Sequence, residues 1–337
     1  RGFSIDMPTW LRPYLTISRR TLTLTVILVV TAMFSAQVRI LDQFELRTYD
    51  LRFVSRGPLP ASPAIVLAMI DEKSLDHQGR WPWPRARFAE LIDRVSQDGA
   101  KVIAFDIGFL EPDENSQLQL LDGLDARLGP LREANPQLGS FLAETRLRAD
   151  NDRLLAEAIR RSSASIVLGY FFHMNQDDLG FRLDEHKIGE QIERIGASKY
   201  PLIIYEKRQM EVTPFIKAYA PEGNLRMFAD AARSCGFYSV KSDEDGVVRW
   251  MPLIIQCGED LFPPLAVSCA WHYFDRPQLV VKVGRYGVEG ILMGRQSIPT
   301  DENGQLLINF LGPAKSFPHF SITDILGGKV PPDVFKD

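Results

Sequence analysis

Five carboxylates stand where two apolar runs give out: Asp71 and Glu72 after residues 65–70, and Asp106, Glu111 and Asp113 after residues 102–105. If the two runs are neighbouring parallel strands, these acids share the carboxyl edge of an open sheet, where such sheets commonly bind ligands. Oxygen ligands gathered there would hold Mg²⁺ or Ca²⁺, with Asp71, Asp106, Glu111 and Asp113 as the coordinating set, or one carboxyl with a raised pKa would act as a general acid. The plainer alternative is that Asp71 and Asp106 cap loops or pair with Arg80, Arg85 or Arg87. The residue types by themselves favour that alternative, and apart from such a cation no cofactor is expected.

Between the two runs lies Gly79-Arg80-Trp81-Pro82-Trp83-Pro84-Arg85. Two indoles stiffened by prolines would line a small-molecule pocket beside Arg85, so Trp81, Trp83, Arg85, Asp71 and Asp106 together make a candidate ligand site. Large aromatics also dominate core burial, and that favours the other reading, in which the pair of tryptophans is a plug over the sheet edge. A substitution at Trp83 would then cost stability before it cost any response.

Other groups carry less. Asp243-Glu244-Asp245-Gly246 has the start of a calcium loop but lacks the downstream bidentate acid, so it reads as a turn between strands over residues 236–240 and 247–255. Cys235 and Cys257 flank that expected hairpin and are candidates for a disulfide in an oxidising compartment, while Cys269 falls on an apolar helix as a buried free thiol. The histidines, His77, His173, His186, His272 and His319, show no zinc-ligand spacing. No nucleophile elbow, phosphate loop or dinucleotide glycine pattern follows a strand.

The elements that would position these groups are legible in the apolar pattern. Residues 65–70, 102–105 and 166–172 are continuous apolar runs, the pattern of parallel strands covered on both faces. A helix over 85–98, with Phe88, Leu91, Ile92 and Val95 on one face, and a second from 152 to 159 would cross between them in right-handed connections. Pro84 suits the first helical turn and Gly99 the position past the last. The expected fold is therefore α/β: an open, mostly parallel sheet with flanking helices and an added antiparallel hairpin region. Helical insertions are expected near 114–150 and, less readably, near 175–222. Further strands are expected at 279–283, 288–293 and 306–311, with an apolar helix over 265–274.

Ahead of this domain, residues 21–38 are charge-free and rich in Leu, Ile and Val, and as a helix would extend about 27 Å. With Arg39 snorkelling, the span reaches 41. Arg12, Arg19 and Arg20 precede it and Asp42 and Glu45 follow, which predicts a cytoplasmic segment over 1–20, a transmembrane helix over 21–41 and the main domain, 57–337, outside. Apolar and charged residues interleave over 42–56, as in a helical stalk that carries a signal or packs on the domain. The lipid bilayer is then one partner.

With 45% hydrophobic and 24% charged residues, the 337-residue chain is globular and long enough for a sizeable core. Its formal net charge of −4 argues against nucleic acid as a partner, because phosphate-driven affinity needs a basic surface.

Several stretches together resemble the second type of the CHASE sensory domains (cyclases/histidine-kinases associated sensory extracellular). They are Tyr49-Asp50-Leu51-Arg52, Ile70-Asp71-Glu72 with Ser74-Leu75, the segment from Gly79 to Arg85, Gly99-Ala100 with Phe105-Asp106-Ile107, Gly236-Phe237 with Asp245-Gly246-Val247-Val248-Arg249, and Ile308-Asn309-Phe310 with residues 322–326. The resemblance implies a periplasmic or extracellular input domain behind one membrane helix. It implies an output on the cytoplasmic side, commonly an adenylate or guanylate cyclase, otherwise a histidine or serine/threonine kinase, outside this chain.

The expected function is that of a sensory domain of a membrane-anchored receptor, a homodimer answering a small-molecule or protein stimulus, with no catalytic site of its own. A metal-dependent hydrolase using the Asp71/Asp106 edge and an assembly domain of a membrane complex are the rivals.

Overall fold

The computed structural model describes residues 19–35, 39–129, 131, 135–177, 183–206 and 215–336. The chain divides into two compact units, Arg1–Leu59 with Phe310–Pro313 and Pro60–Asn309 with Ala314–Asp337.

The smaller unit contains helix α1 (Arg19–Ser35) and helix α2 (Arg39–Arg56). Near the end of α2, Tyr49 and Phe53 lie one turn apart and meet edge to face at 4.8 Å, and Phe53 meets Phe310 at 6.1 Å. The Arg56 guanidinium covers the Phe53 ring at 4.6 Å and donates to the Phe310 carbonyl. Gly57, at φ +76°, ends the helix with its N–H on the Phe53 carbonyl, a conformation a side chain would resist. The expected stalk over 42–56 falls within α2. The expected membrane span fares differently: among the described residues no helix is long and apolar enough to cross a membrane. Helix α1 has 17 residues, about 26 Å, against a hydrocarbon core of about 30 Å. Residues 36–38 of the expected span, and 1–18 of the expected cytoplasmic segment, lie outside the described residues.

The larger unit begins with β1 (Leu67–Met69), α3 (Glu72–Gln78), α4 (Arg85–Gln97) and β2 (Val102–Phe105). The insertion helices α5 (Ser116–Arg127) and α6 (Pro136–Ala149) follow, each capped by an asparagine, Asn115 or Asn135, whose side chain accepts two amides of the first turn. Then come α7 (Asn151–Arg161) and β3 (Ser165–His173), α8 (Glu185–Ile195), β4 (Leu202–Tyr205), β5 (Ile216–Lys217), β6 (Ala220–Glu222), α9 (Arg226–Ala229) and β7 (Ser234–Phe237). Parts of both expected insertions, residues 130, 132–134, 178–182 and 207–214, lie outside the described residues.

The centre is the parallel set β2-β3-β7, with β6 running antiparallel against the far end of β3. On one face α4 and α7 pack together, bringing Phe88, Leu91, Ile92 and Val95 of the one and Leu155, Ala158 and Ile159 of the other into one apolar core. The expected apolar face of α4 is thus the observed one. On the other face lies α10 (Leu265–Tyr273), close enough that a Cβ on Gly236 would sit 2.5 Å from the Leu265 Cα. Only glycine permits that approach.

A second core, with Tyr200, Leu253, Ile254, Leu261, Val281 and Ile291, belongs to the later strands. These are β8 (Trp250–Pro252), β9 (Ile255–Cys257), β10 (Asp260–Phe262), β11 (Leu279–Gly284), β12 (Gly287–Met293), β13 (Gln296–Ile298) and β14 (Gln305–Leu307). They form the sheets β13-β12-β11-β4, β10-β9-β5 and β14-β8. The chain then returns as β15 (His319–Ser321), parallel to β1 with Leu67 opposite His319 and Met69 opposite Ser321, and enters α11 (Ile322–Leu326).

The α/β class holds, with parallel sheets and helices, but two expectations do not. The strands form several small sheets, parallel and antiparallel, instead of one open, mostly parallel sheet. Within them β1 pairs with β15 and β2 with β3, so β1 and β2 are not hydrogen-bonded neighbours. The hairpin expected across residues 236–255 is absent too: β7 ends at Phe237 beside β3, while β8 pairs with β14.

Candidate functional site

The tryptophan segment separates into two roles. Trp83 is 1% exposed, donates its indole N–H to the Gly79 carbonyl at 2.9 Å, and joins Phe88, Phe105 and Phe109 in a run of ring contacts that ends on Phe228. That is a core plug. Trp81, joined to Pro82 by a cis peptide, covers the plug edge to face at 6.0 Å and is 45% exposed. Arg85, on the first turn of α4, lies over the Phe109 ring at 4.9 Å and donates to the Glu111 carbonyl at 3.3 Å. Its Nε faces Asp152 Oδ1 at 3.8 Å, too far for a direct hydrogen bond, and both atoms are buried without a partner. Burial pushes the Asp152 carboxyl up, against the backbone hydrogen bond from Asp113 and the Arg85 charge. Asp113 in turn accepts from Asn151 at 2.7 Å. The Arg85 corner therefore fastens α4, the loop after β2 and α7 to one another.

Asp71 is a cap. Its carboxylate accepts the Ser74 N–H at 2.9 Å, as the N-cap of α3, and the Ser321 hydroxyl at 2.7 Å. Burial alone would raise its pKa, yet the hydrogen bonds from Ser321 and Ser74 hold it below the usual carboxylate value. Ser74 and Ser321 also bond to each other at 2.7 Å, and Lys73 reaches Asp324 at 2.5 Å. Together these contacts close residues about 250 apart in sequence across the β1–β15 pair.

Asp106 directly follows β2 at the carboxyl edge of the central sheet, and partial burial raises its pKa. The groups beside it come from β3, β6 and the residue after β7. A Cβ on Gly169 would meet the Tyr238 ring at 2.8 Å, and one on Gly108 its hydroxyl at 3.3 Å, so Tyr238 lies over the glycines of both neighbouring segments. Phe171 lies 6.2 Å from Tyr238 and 4.9 Å from His173, whose Nε2 meets Glu222 Oε2 at 3.0 Å. Burial, then the charges of Asp106 and Glu222, raise the Tyr238 pKa, which keeps its hydroxyl protonated and able to donate. Two carboxylates, an imidazole, a phenol and an aromatic face thus line one edge. The sequence reading missed Tyr238, Phe171, His173 and Glu222. Their only signal was position, at or just past the ends of strands.

The metal set does not assemble: among the described residues no group of three or more His, Cys, Asp or Glu side chains is placed to hold a metal ion. Asp71 is turned into its cap on one strand pair and Asp113 towards Asn151, while Asp106 belongs to another sheet. Cys235 and Cys257 are buried free thiols on strands of different sheets, each pushed up to about 11 by burial, and Cys269 is free with its thiol pushed up to about 12. The acidic turn finds its cation within the chain. Arg249, 1% exposed, donates to Asp243 at 2.8 Å and to Asp245 at 2.7 and 2.9 Å, holding the Asp245 carboxyl at about 2.

The CHASE2 domain model matches residues 24–337, and the chain belongs to that family. CHASE2 is an extracellular sensory domain of signalling proteins. No curated protein and no solved structure matches the chain.

Proposed function

We propose that this domain is the extracytoplasmic input of a membrane-anchored receptor, with the apolar residues 21–41 as its anchor, and that it controls a cytoplasmic nucleotide cyclase in a homodimer. The observation that carries the reading is the CHASE2 match over residues 24–337. The stimulus is recognised at the edge formed by Asp106, Tyr238, Phe171, His173 and Glu222, with Trp81 as the exposed remainder of the tryptophan segment. Binding there shifts the population between two arrangements of domain and helix, so any effector must bind the two arrangements unequally. Trp83, Arg85 and Asp71 support the fold and do not touch the stimulus.

The test is made in the full-length receptor in its native membrane. Cyclic nucleotide production is measured against stimulus-containing extracts for Asp106→Asn and Tyr238→Phe, each beside its thermal melt. A lost response at an unchanged melting temperature supports the edge as the input site. An unchanged response in both variants removes it, and absence of cyclic nucleotide synthesis in the wild type removes the cyclase. Protease added outside intact cells must cleave the domain; protection of the domain would overturn the topology.

A further inference from the structure

The segments that build the edge around Asp106, residues 105–110, 169–173, 219–224 and 236–240, contain two carboxylates, Asp106 and Glu222, and no lysine or arginine. Glu222 has His173 at 3.0 Å, whereas among the described residues the Asp106 carboxylate enters no hydrogen bond or ion pair. The groups that feel its charge are the Tyr238 hydroxyl and the Cys269 thiol of α10, both raised and so uncharged at neutral pH. No cation lowers Asp106 itself; burial alone acts on it. A carboxylate partly withdrawn from water without a counter-charge is costly. The walls beside it are aromatic. Tyr238 lies on Gly169, where a Cβ would come within 2.8 Å of its ring, and is half-buried, and Phe171 stands 6.2 Å from it with the rings tilted by 34°. Buried Asn224 fixes the floor, accepting the Phe109 N–H at 2.7 Å and donating to the Gly169 carbonyl at 2.9 Å. The loop after β2 and the middle of β3 are thus held in place before anything binds, which lowers the cost of binding.

We infer that this edge takes a small organic cation, an amine or quaternary ammonium compound, whose charged nitrogen lies against the Asp106 carboxylate and the rings of Tyr238 and Phe171, with Glu222 as the outer acid. The inference rests on the reading of the edge as the input site and gives that site its ligand class. Aromatic faces attract cations, more strongly where water is excluded. An anionic compound would meet two carboxylates and no counter-charge. A metal ion would need more oxygen ligands than the edge supplies, since among the described residues no group of three or more His, Cys, Asp or Glu is placed to hold one. The protonated Tyr238 hydroxyl is left to donate to an oxygen elsewhere on the same compound.

Titration calorimetry on the detergent-solubilised full-length receptor tests it with probes matched in shape and different in charge: choline against 3,3-dimethylbutan-1-ol, and benzylamine against benzyl alcohol. At least one cation is expected to bind saturably and about tenfold or more tightly than its neutral partner. Asp106→Asn should weaken that cation about tenfold or more and leave the neutral partner unchanged, and Phe171→Leu should weaken it about threefold or more, each at an unchanged melting temperature. Failure of both cations to bind, equal affinity for cation and neutral partner, or full affinity retained in Asp106→Asn overturns the inference. Cyclic nucleotide production in native membranes separates it from the sensory reading. A cation that binds through Asp106 without changing the output keeps the ligand class and removes the edge as the input. A response to extract that is lost in Asp106→Asn while neither cation binds keeps the input and removes the ligand class.

Discussion

β3 and β1 are both written as unbroken apolar runs, and they end in opposite surroundings. Ile166, Val167, Leu168 and Tyr170 of β3 are buried between β2 and β7 and beneath the helices, whereas Leu67 and Met69 of β1 are exposed and, among the described residues, β1 pairs with β15 alone. A continuous apolar run states that both faces of a strand will be covered; it does not state by what. β3 draws its cover from β2 and β7, which pair with it on its two sides, and from the helices packed on that sheet. β1 is tied to β15, some 250 residues away, by hydrogen bonds among Asp71, Ser74 and Ser321. The first region is held by packing and the second by a few polar contacts, so the two should break differently.

The largest effect is expected where packing dominates. Trp83→Ala removes the plug between α4 and the central sheet and should cost about 3–5 kcal/mol, measured by urea unfolding of the isolated chain. A cost below about 1 kcal/mol would mean that the indole is dispensable to the core and would return it to the ligand site. Gly169→Ala comes next. The added Cβ would sit 2.4 Å from the Phe105 carbonyl and 2.8 Å from the Tyr238 ring, and overpacking of that kind costs about 1–3 kcal/mol. Since Tyr238 must move, the same variant should also weaken any response that depends on the Asp106 edge.

The helical periodicity of residues 85–98 and 152–159 and the apolar runs of β2 and β3 were enough to read the parallel core, because each element carries its own apolar pattern and the alternation of strand and helix fixes a parallel pairing. The partner of β1 was not legible, because His319, Phe320 and Ser321 look like a loop and pair with it only through tertiary context. The acids after the two strands were assigned to one edge on the assumption that β1 and β2 adjoin, and that assumption failed with the pairing. Arg249 was passed over for a related reason: an arginine four residues after Asp245 reads as a surface charge, and its burial follows from the loop folding back over it. Tyr238, His173 and Glu222 carry no local pattern at all. Side chains brought together from three strand ends have no common spacing in the sequence.

Smaller effects test the polar side of the comparison. Asp71→Ala removes an N-cap and the acceptor for Ser321 and should cost about 1 kcal/mol. The same carboxylate gives a pH signature. Its folded pKa is depressed, so its contribution is present above the unfolded value of about 3.9 and is lost as pH falls through the lower folded value. Wild type should therefore lose stability below about pH 4 more steeply than Asp71→Asn at matched temperature; parallel profiles would show that Ser321 and Ser74 do not favour the charged form.

The smallest stability change and the sharpest contrast belong to Met69. Met69→Lys places a charge on a half-exposed strand and should alter stability by no more than about 0.5 kcal/mol, while reducing any self-association of the purified chain, because a charged edge resists strand addition. In β3 the corresponding change, Leu168→Lys, would bury an unpaired ammonium and prevent folding. If Met69→Lys instead destabilised this chain by several kcal/mol, the exposure of β1 would not describe the molecule in solution. The distinction between a strand that is covered and one that is still open would then disappear.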